Sequence, residues 1–371
     1  MSDGRPAGPG WDWLVQEARN ARFTLIGEEH GVAETAQLAA ALFSALRASG
    51  YNRVAIELSP PIARDIETAA RRRGVEGIEE FLKTPGIFTF YNMHEEAQFV
   101  AAVVAAGPKN ERVLWGFDRE IFSDRYLISK LEPKVPPGAR APFARLKEAS
   151  TNAQAQNART GNPDDLFFLS QDSALASALR AAWPNPDPES DAVMRTIEAS
   201  LAIETAERAG GAWPYMERRS QWGRSNLAAL LRTGSPKIPM KFGYNHMIRG
   251  ANYFNGFDLG TMADEVAALT GDRAFHILVL PGPGSRQAML GGNGFGSALS
   301  DSVDEMRAGD QRLMRVLSNA NATGHEVFDL RPLRRLAMRG LESWNSDVVR
   351  TIHGYDAVVI WKGAHASTGL K

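Results

Sequence analysis

The sequence passes from strand to helix within one stretch, Arg22-Phe-Thr-Leu-Ile-Gly-Glu-Glu-His-Gly-Val-Ala-Glu34. Its first part, Phe23 to Ile26, is a short apolar run with β-branched residues, which predicts a buried strand. Gly27 ends the run. After Glu34 the apolar residues recur at helical spacing, at Leu38, Leu42, Phe43 and Leu46. A buried strand that leads at once into a helix is the repeating unit of an α/β sheet.

Two acids and an imidazole lie at the junction between this strand and this helix. Glu28, Glu29 and His30 follow the apolar run directly. In open α/β sheets, ligands bind at the carboxyl ends of the strands. A solvated polar loop is the alternative, but such a loop needs no cluster of acids and base against a buried strand. The pattern therefore favours a functional site.

Composition limits the classes of protein to consider. The 371 residues are 44% hydrophobic, and 42 basic residues against 43 acidic ones give a net charge of -1, which indicates neither a nucleic-acid nor a membrane partner. The absence of cysteine excludes disulfides, thiolate metal sites and a cysteine nucleophile. Residues 1–10 lack the pattern of a signal peptide, and no apolar run has the length of a membrane helix. We expect a cytoplasmic protein with a small-molecule partner; its oligomeric state is left open.

Further strands are predicted where apolar and β-branched residues cluster, and helical segments separate most of them. The predicted strands cover residues 53–58, 112–118, 238–243, 274–280, 326–329 and 357–361. Alternation of strands with helices implies a mainly parallel, doubly wound α/β sheet with helices on both of its faces.

One region departs from this alternation. From about 131 to 235 the chain is rich in Ala, Arg, Gln, Asn and Glu and poor in strand signals. We interpret it as a helical insertion, or lid, within a single domain that spans residues 1–371. The glycine-rich segment 281–296 is interpreted as a mobile lip over the site, with a plain surface loop as the alternative.

Ionisable or polar residues also end three other predicted strands. Glu57 lies near the end of the second, Asp118 ends the third, and Tyr244-Asn245-His246 follows the fourth. Because the ends of parallel strands meet at one edge, these groups are expected to converge with His30. A carboxylate within an apolar run is costly unless it is paired, so Glu57 is either a structural ion-pair partner or a carboxylate on the floor of a site.

The two histidines that follow predicted strands have the chemistry for catalysis. Each comes three residues after a glycine, in Gly27-Glu-Glu-His30 and Gly243-Tyr-Asn-His246. A neutral imidazole serves as a general base or as a metal ligand. With Glu28 and Glu57, the pair would either hold a divalent ion that acidifies a bound water or activate water without a metal. Arg219 either steadies an oxyanion or belongs to a solvated basic face.

The residues Leu25-Ile-Gly-Glu-Glu-His-Gly-x-x-Glu34 resemble the opening motif of the erythromycin esterase-like proteins. These are grouped with the Tiki, TraB and ChaN-like haem-uptake proteins, whose shared marks are two Gly-x-x-His motifs and paired glutamates. The resemblance continues at residues 54–57, 92–96, 115–118, 219–226, 242–246 and 355–360. It departs at Tyr244 and Met247, where the esterase branch carries two histidines around an asparagine.

The resemblance implies an α/β sheet with a helical lid and the hydrolysis of an ester, lactone or amide. The expected catalytic residues are Glu28, His30, Glu57, Arg219 and His246. The expected substrate-binding residues are Glu34, Asp118, Tyr244 and Asn245. If a divalent metal is used, its ligands would be Glu28, His30, Glu57 and His246. The alternative that the resemblance implies is a ChaN-like protein that binds haem or a metal without turnover.

Overall fold

The computed structural model describes residues 6–281, 284–287, 299–300, 325–339, 346–361 and 363–370. The described strands are β1 (Phe23–Glu28), β2 (Val54–Ile56), β3 (Leu114–Gly116), β4 (Ile238–Gly243), β5 (Ala274–Pro281), β6 (Arg286–Gln287), β7 (Leu299–Ser300), β8 (His325–Asp329) and β9 (Ala357–Trp361). The described helices are α1 (Pro9–Arg19), α2 (Ala33–Leu46), α3 (Pro60–Leu82), α4 (His94–Ala106), α5 (Asp124–Leu131), α6 (Arg140–Thr160), α7 (Phe167–Ser170), α8 (Ala174–Ala182), α9 (Pro188–Gly210), α10 (Ala212–Leu231), α11 (Tyr244–Met247), α12 (Leu259–Leu269), α13 (Arg334–Arg339) and α14 (Ser346–Gly354). None of these helices has both the length and the apolar character needed to cross a membrane.

The main sheet is built around β1. Within the described ranges its seven strands lie in the order β3-β2-β4-β1-β5-β9-β8. Each neighbouring pair is parallel except β8 and β9, which are antiparallel at one edge. Phe23 pairs in register with Ile238 on one side and Ala274 on the other. The predicted mainly parallel α/β sheet is therefore confirmed.

Helices cover both faces of this sheet. All six residues of β1 are buried, as expected for a central strand with no solvent-facing side. Leu25 packs into an apolar cluster that includes residues of α10 and α12, whereas Ile26, on the opposite face, packs into a cluster with α2, α3 and α4. Successive side chains thus enter two different cores, which is the doubly wound arrangement that the sequence predicts.

The differences from the predicted bounds matter at the edge of the sheet. β2 ends at Ile56 and β3 at Gly116, two residues before the predicted ends at 58 and 118. Glu57 and Asp118 consequently lie just past the ends of these strands, where the backbone N–H of Asp118 still donates to the carbonyl oxygen of Leu58 at 3.0 Å. Helix α3, which follows β2, has a kink at Gly74, whose φ of 59° is left-handed.

The helical insertion lies at this same edge. Helices α5 to α10 occupy residues from Asp124 to Leu231, close to the predicted 131–235. Helix α9 packs against α3 and α10. From α10, Trp222 Nε1 donates a 2.9 Å hydrogen bond to the carbonyl oxygen of Asp118, which anchors the insertion at the carboxyl ends of the strands. The predicted lip at 281–296 lies mostly outside the described residues.

Candidate functional site

A cavity of about 370 Å³ opens at the carboxyl ends of β1, β2 and β4. Its polar lining includes Glu28, Glu29, His30, Glu57, Arg119, Arg219, Asn245 and His246. Its apolar wall consists of Phe90, Ile121 and Phe122, together with Pro163, Leu166 and Leu169 from the insertion. The five residues predicted to be catalytic therefore line one cavity, although more than 200 positions separate the first from the last. A volume of this size suits a small ligand.

Glu57 lies at the centre of the polar lining. Its side chain is 4% exposed, and its Oε2 accepts a 2.6 Å hydrogen bond from the backbone N–H of Gly243. Nε2 of His30 lies 3.4 Å from Oε2, and Nε2 of His246 lies 3.4 Å from Oε1. Burial opposes ionisation of Glu57, but the two neighbouring imidazoles and a nearby guanidinium hold the pKa of its carboxyl well below the usual range. Glu57 is thus a fixed anion between two imidazoles.

His30 is held between two carboxylates. Its Nδ1 lies 3.0 Å from Glu28 Oε1, its Nε2 faces Glu57, and its ring stacks on Phe90 with 4.9 Å between ring centroids. Burial disfavours the imidazolium form, but the carboxylates of Glu57 and Glu28 outweigh it and raise the pKa of His30 to about 10. Both ring nitrogens face an acceptor, so both act as donors, and the ring is an imidazolium at neutral pH.

His246 is oriented by a second carboxylate. The segment after β4 turns into the short helix α11, and there the Nδ1 atom of His246 lies 2.6 Å from Asp258 Oδ2. Asp258 is itself only 2% exposed and caps α12 by accepting from the backbone N–H of Leu259. A carboxylate at Nδ1 fixes the ring so that Nε2 is the nitrogen directed toward Glu57.

Arg219 connects the insertion to the floor of the cavity. Its Nε and Nη2 donate to the two carboxylate oxygens of Asp118, at 3.0 and 2.6 Å, and Nη2 also donates to Glu57 at 3.0 Å. Its Nη1 makes only a long 3.4 Å contact with the hydroxyl of Tyr215. Most of its donors are therefore engaged by Asp118 and Glu57. Asp118, expected to bind substrate, is placed behind Arg219 as its bidentate partner.

A buried lysine lies beneath the cavity. Lys241, on β4, is 1% exposed and donates to Glu28 at 2.7 Å and to Glu96 at 2.8 Å. Burial opposes the ionised form of Glu28, but Lys241 and His30 lower the pKa of its carboxyl below the usual range. Burial raises the pKa of Glu96 to about 7 against the opposing effect of Lys241. Lys241 therefore fixes the carboxylate that holds the first imidazole.

The remaining residues predicted to bind substrate are divided between two places. Tyr244 and Asn245 line the cavity, and the buried Oδ1 of Asn245 has no hydrogen-bond partner among the described residues. Glu34 does not line it; its carboxylate accepts from the backbone N–H and from Nδ1 of His365, near the carboxyl end of the chain. In the structure Glu34 ties α2 to that segment.

The donor set does not fit a metal ion. Among the described residues, no group of three His, Asp or Glu side chains has an arrangement suited to holding one. Three of the four expected ligands are already engaged: Glu28 by Lys241 and His30, Glu57 by Arg219 and the Gly243 N–H, and His30 by Glu28 and Glu57. Asp258 holds only Nδ1 of the fourth, His246. Cationic donors occupy the carboxylate oxygens of Glu28 and Glu57 that a metal ion would need.

Three important side chains were not expected from the sequence: Lys241, Asp258 and Arg119. Lys241 could have been found from the sequence, because it is an ionisable residue inside the apolar run Ile238–Gly243. Glu57 was singled out by the same pattern. Asp258 and Arg119 lie in loops, where charged residues are ordinary, and only the folded backbone brings them to the cavity.

The comparisons with known proteins bear on the fold. No family model matches the chain, and no curated protein matches it. Solved structures do match. One is a succinoglycan biosynthesis protein, which is 14% identical and gives a TM-score of 0.64. The match covers 100% of this chain and 95% of that protein. A Bacillus cereus protein gives 14% identity, a TM-score of 0.59 and the same coverage of both chains. The erythromycin esterase mutant EreC in its open conformation gives 13% identity and a TM-score of 0.61, over 97% of this chain and 95% of that one.

The chain has the erythromycin esterase-like fold. The α/β architecture that the sequence resemblance implies is thereby confirmed. At 13% identity the match to EreC supports the fold alone, so the activity has to be argued from the cavity itself.

Proposed function

We propose that this protein is a hydrolase that cleaves an ester, lactone or amide bond of a small molecule with an activated water. The observation that carries the proposal is the pair of imidazole Nε2 atoms, of His30 and His246, that flank Glu57 at 3.4 Å in an open cavity. That separation is too long for a strong hydrogen bond, so a water or a substrate oxygen can compete for each Nε2. EreC, which has the same fold, is named as an erythromycin esterase.

The two imidazoles divide the proton transfers that hydrolysis requires. His246 is set up as the base, because Asp258 holds its Nδ1 and directs Nε2 to the cavity. His30, which the sequence suggests as the base, already carries a proton at neutral pH, since Glu57 and Glu28 raise its pKa to about 10. It is therefore placed to stabilise the developing oxyanion and to protonate the leaving oxygen or nitrogen.

Glu57 and Arg219 are positioning residues in this scheme. Arg219 and the Gly243 N–H fix the two oxygens of Glu57, at 3.0 and 2.6 Å, and Glu57 in turn balances the charge of both imidazoles. Tyr244 and Asn245 are proposed to contact the substrate, and the unpartnered Oδ1 of Asn245 supports this role because it lies buried at the cavity. Asp118 acts through Arg219.

Haem or metal binding without turnover is the alternative that the resemblance implies. It needs an imidazole nitrogen with a free lone pair. Both nitrogens of His30 face carboxylate oxygens and carry protons, so of these two histidines only His246 keeps a nitrogen, Nε2, for ligation. A protonated imidazole next to an unprotonated one favours hydrolysis over ligation. Titration with haem tests the alternative directly: a shifted Soret band that His30→Ala and His246→Ala both abolish would support binding.

A substrate screen with matched histidine variants tests the proposal. The wild-type protein is assayed against p-nitrophenyl esters, lactones and anilides, and any activity is then measured for His30→Ala and His246→Ala. Each variant should lose activity by roughly 100-fold or more, because general acid–base groups contribute that much. His94→Ala is the control, since His94 is bonded to Glu79 and does not line the cavity.

Two results would count against a hydrolase. One is a His30→Ala or His246→Ala protein with the turnover of the His94→Ala control. The other is a wild type with no turnover on any member of the panel that nevertheless gives a stoichiometric haem complex. Circular dichroism of each variant establishes that a loss of activity reflects chemistry and not unfolding.

A further inference from the structure

Arg119 is a cationic side chain of the cavity that the proposed proton transfers do not use. It follows Asp118 directly, lines the cavity, and is 8% exposed. Its Nη2 donates a 2.6 Å hydrogen bond to the hydroxyl of Tyr215, and its Nη1 is buried without a hydrogen-bond partner among the described residues. A buried guanidinium nitrogen ordinarily has a hydrogen-bond partner. A nitrogen without one, on a residue that lines a cavity, indicates that a ligand supplies the partner.

The counter-charge of Arg119 is incomplete. Its Nε lies 3.0 Å from Oε1 of Glu204, but neither atom has the alignment of a hydrogen bond. Burial raises the pKa of Glu204 to about 7 against the opposing charge of Arg119, and Glu207 adds to the rise. Near neutral pH Glu204 is therefore partly protonated. The positive charge of the Arg119 guanidinium is then only partly balanced, because no carboxylate among the described residues accepts a hydrogen bond from it.

Arg219, the other guanidinium at the cavity, differs in this respect. Asp118 takes two of its hydrogen bonds and Glu57 a third. The neighbouring anions of the cavity are likewise engaged, with Glu28 held by Lys241 and Glu29 lying 3.3 Å from Arg286. Arg119 is thus the cationic group best placed to meet an incoming anion with a free donor.

We propose that Nη1 of Arg119 binds an anionic oxygen of the substrate, a carboxylate or a phosphate group, and so selects molecules that carry a negative charge beside the bond to be cleaved. This subsite rests on the proposed hydrolase function. A guanidinium suits such a group because its planar N–H donors match the oxygens of carboxylates and phosphates. The apolar wall of Phe122 and Leu166 would exclude water from the pair and strengthen it.

The test uses the full chain and anions that cannot be cleaved. Isothermal titration calorimetry at pH 7 and low salt measures the binding of succinate and, separately, of inorganic phosphate. Arg119→Gln should weaken the binding by roughly tenfold or more, because a charge-assisted hydrogen bond contributes that much. Arg71→Gln is the matched control, since Arg71 makes several hydrogen bonds, among them two to Glu67, and does not line the cavity.

A second variant covers the case in which Arg119→Gln does not fold. Glu204→Gln keeps the shape of the side chain and removes the carboxylate that competes for Arg119, so it should tighten anion binding above pH 7, where Glu204 is mostly ionised. Binding of succinate alone would identify a carboxylate, and binding of phosphate alone a phosphate group; either supports the subsite.

The subsite would be refuted if the wild type bound neither anion. Equal affinity of Arg119→Gln and Arg71→Gln, or an unchanged affinity in Glu204→Gln, would refute it as well. None of these binding measurements requires turnover. If the anions do not bind, the hydrolase proposal is still decided by the activities of the His30 and His246 variants. If those variants keep their activity, the measured anion binding still stands.

Discussion

Replacement of Glu57 by Gln should lower the pKa of His30 and with it the pH at which the site loses its proton donor. In the wild type, the raised pKa of about 10 keeps the ring protonated far above its usual range. A raised pKa also contributes to stability: the contribution is complete below pH ~6.5 and is lost as the pH rises through the folded-state value. Glu57→Gln should therefore flatten the fall in unfolding free energy over this alkaline range.

The magnitude follows from the geometry. A unit charge at 3.4 Å from Nε2, with an effective dielectric constant of ~20, interacts with the imidazolium by about 5 kcal/mol, or 3 to 4 pKa units. The imidazole is 22% exposed, and solvent screening reduces this upper bound. We expect a fall of at least one pKa unit, with Glu28 still holding Nδ1.

The pKa is measured by NMR titration of isotopically labelled histidine, with the His30 signal assigned by its absence in His30→Ala. Glu34→Gln is the control, because its histidine partner is His365 and not His30. The reasoning is refuted if His30 titrates near 6.5 in the wild type, or if Glu57→Gln and Glu34→Gln leave its pKa equally unchanged. In a kinetic assay, wild-type activity should fall above pH 10; a rise to that pH would make His30 the base.

Three further predictions concern the groups around the imidazoles. Lys241→Met leaves two buried carboxylates without their lysine and should lower the unfolding free energy by about 3–5 kcal/mol in chemical denaturation. Lys237→Met should change it by less than about 1 kcal/mol, because Lys237 is only half-buried and its ammonium donates to the carbonyl oxygen of Arg19. Asp258→Asn weakens the 2.6 Å bond to the second imidazole and should lower kcat by about 100-fold with little change in KM, measured by steady-state kinetics. Gly243→Ala would put a methyl group 3.1 Å from Nε2 of His30, so kcat should fall while thermal unfolding shifts little.

The residues of one strand and its continuation were enough to predict the floor of the site. Phe23 to Ile26 is apolar at every position because β1 is buried on both faces, and a parallel sheet has one functional edge. Because other predicted strands end near Glu57 and His246, the same rule placed the acids and the imidazole that follow β1 beside these two residues. The alternation of strands and helices also predicted that the sheet is mainly parallel, but it did not predict which strands are neighbours.

The partners of these residues could not be predicted in the same way. Glu34 stands four positions after His30 and looks like part of the same motif, yet α2 turns it toward His365, 331 positions away along the chain. Asp258 reaches His246 only because α12 begins beside α11. Side-chain direction in a loop depends on the packing of elements that are distant in sequence, and periodicity contains no information about it.

The arrangement of charge at the cavity argues for function over stability. Glu28, His30, Glu57, His246 and Asp258 form a row in which carboxylates and imidazoles alternate, with contacts of 3.0, 3.4, 3.4 and 2.6 Å. Apolar side chains of similar volume are often at least as stabilising as a buried ion pair. The row therefore adds little to stability that packing would not supply, while it places an imidazole nitrogen on either side of one carboxylate. Its weakest contacts are the two at Glu57, which is where a substrate and a water would have to enter.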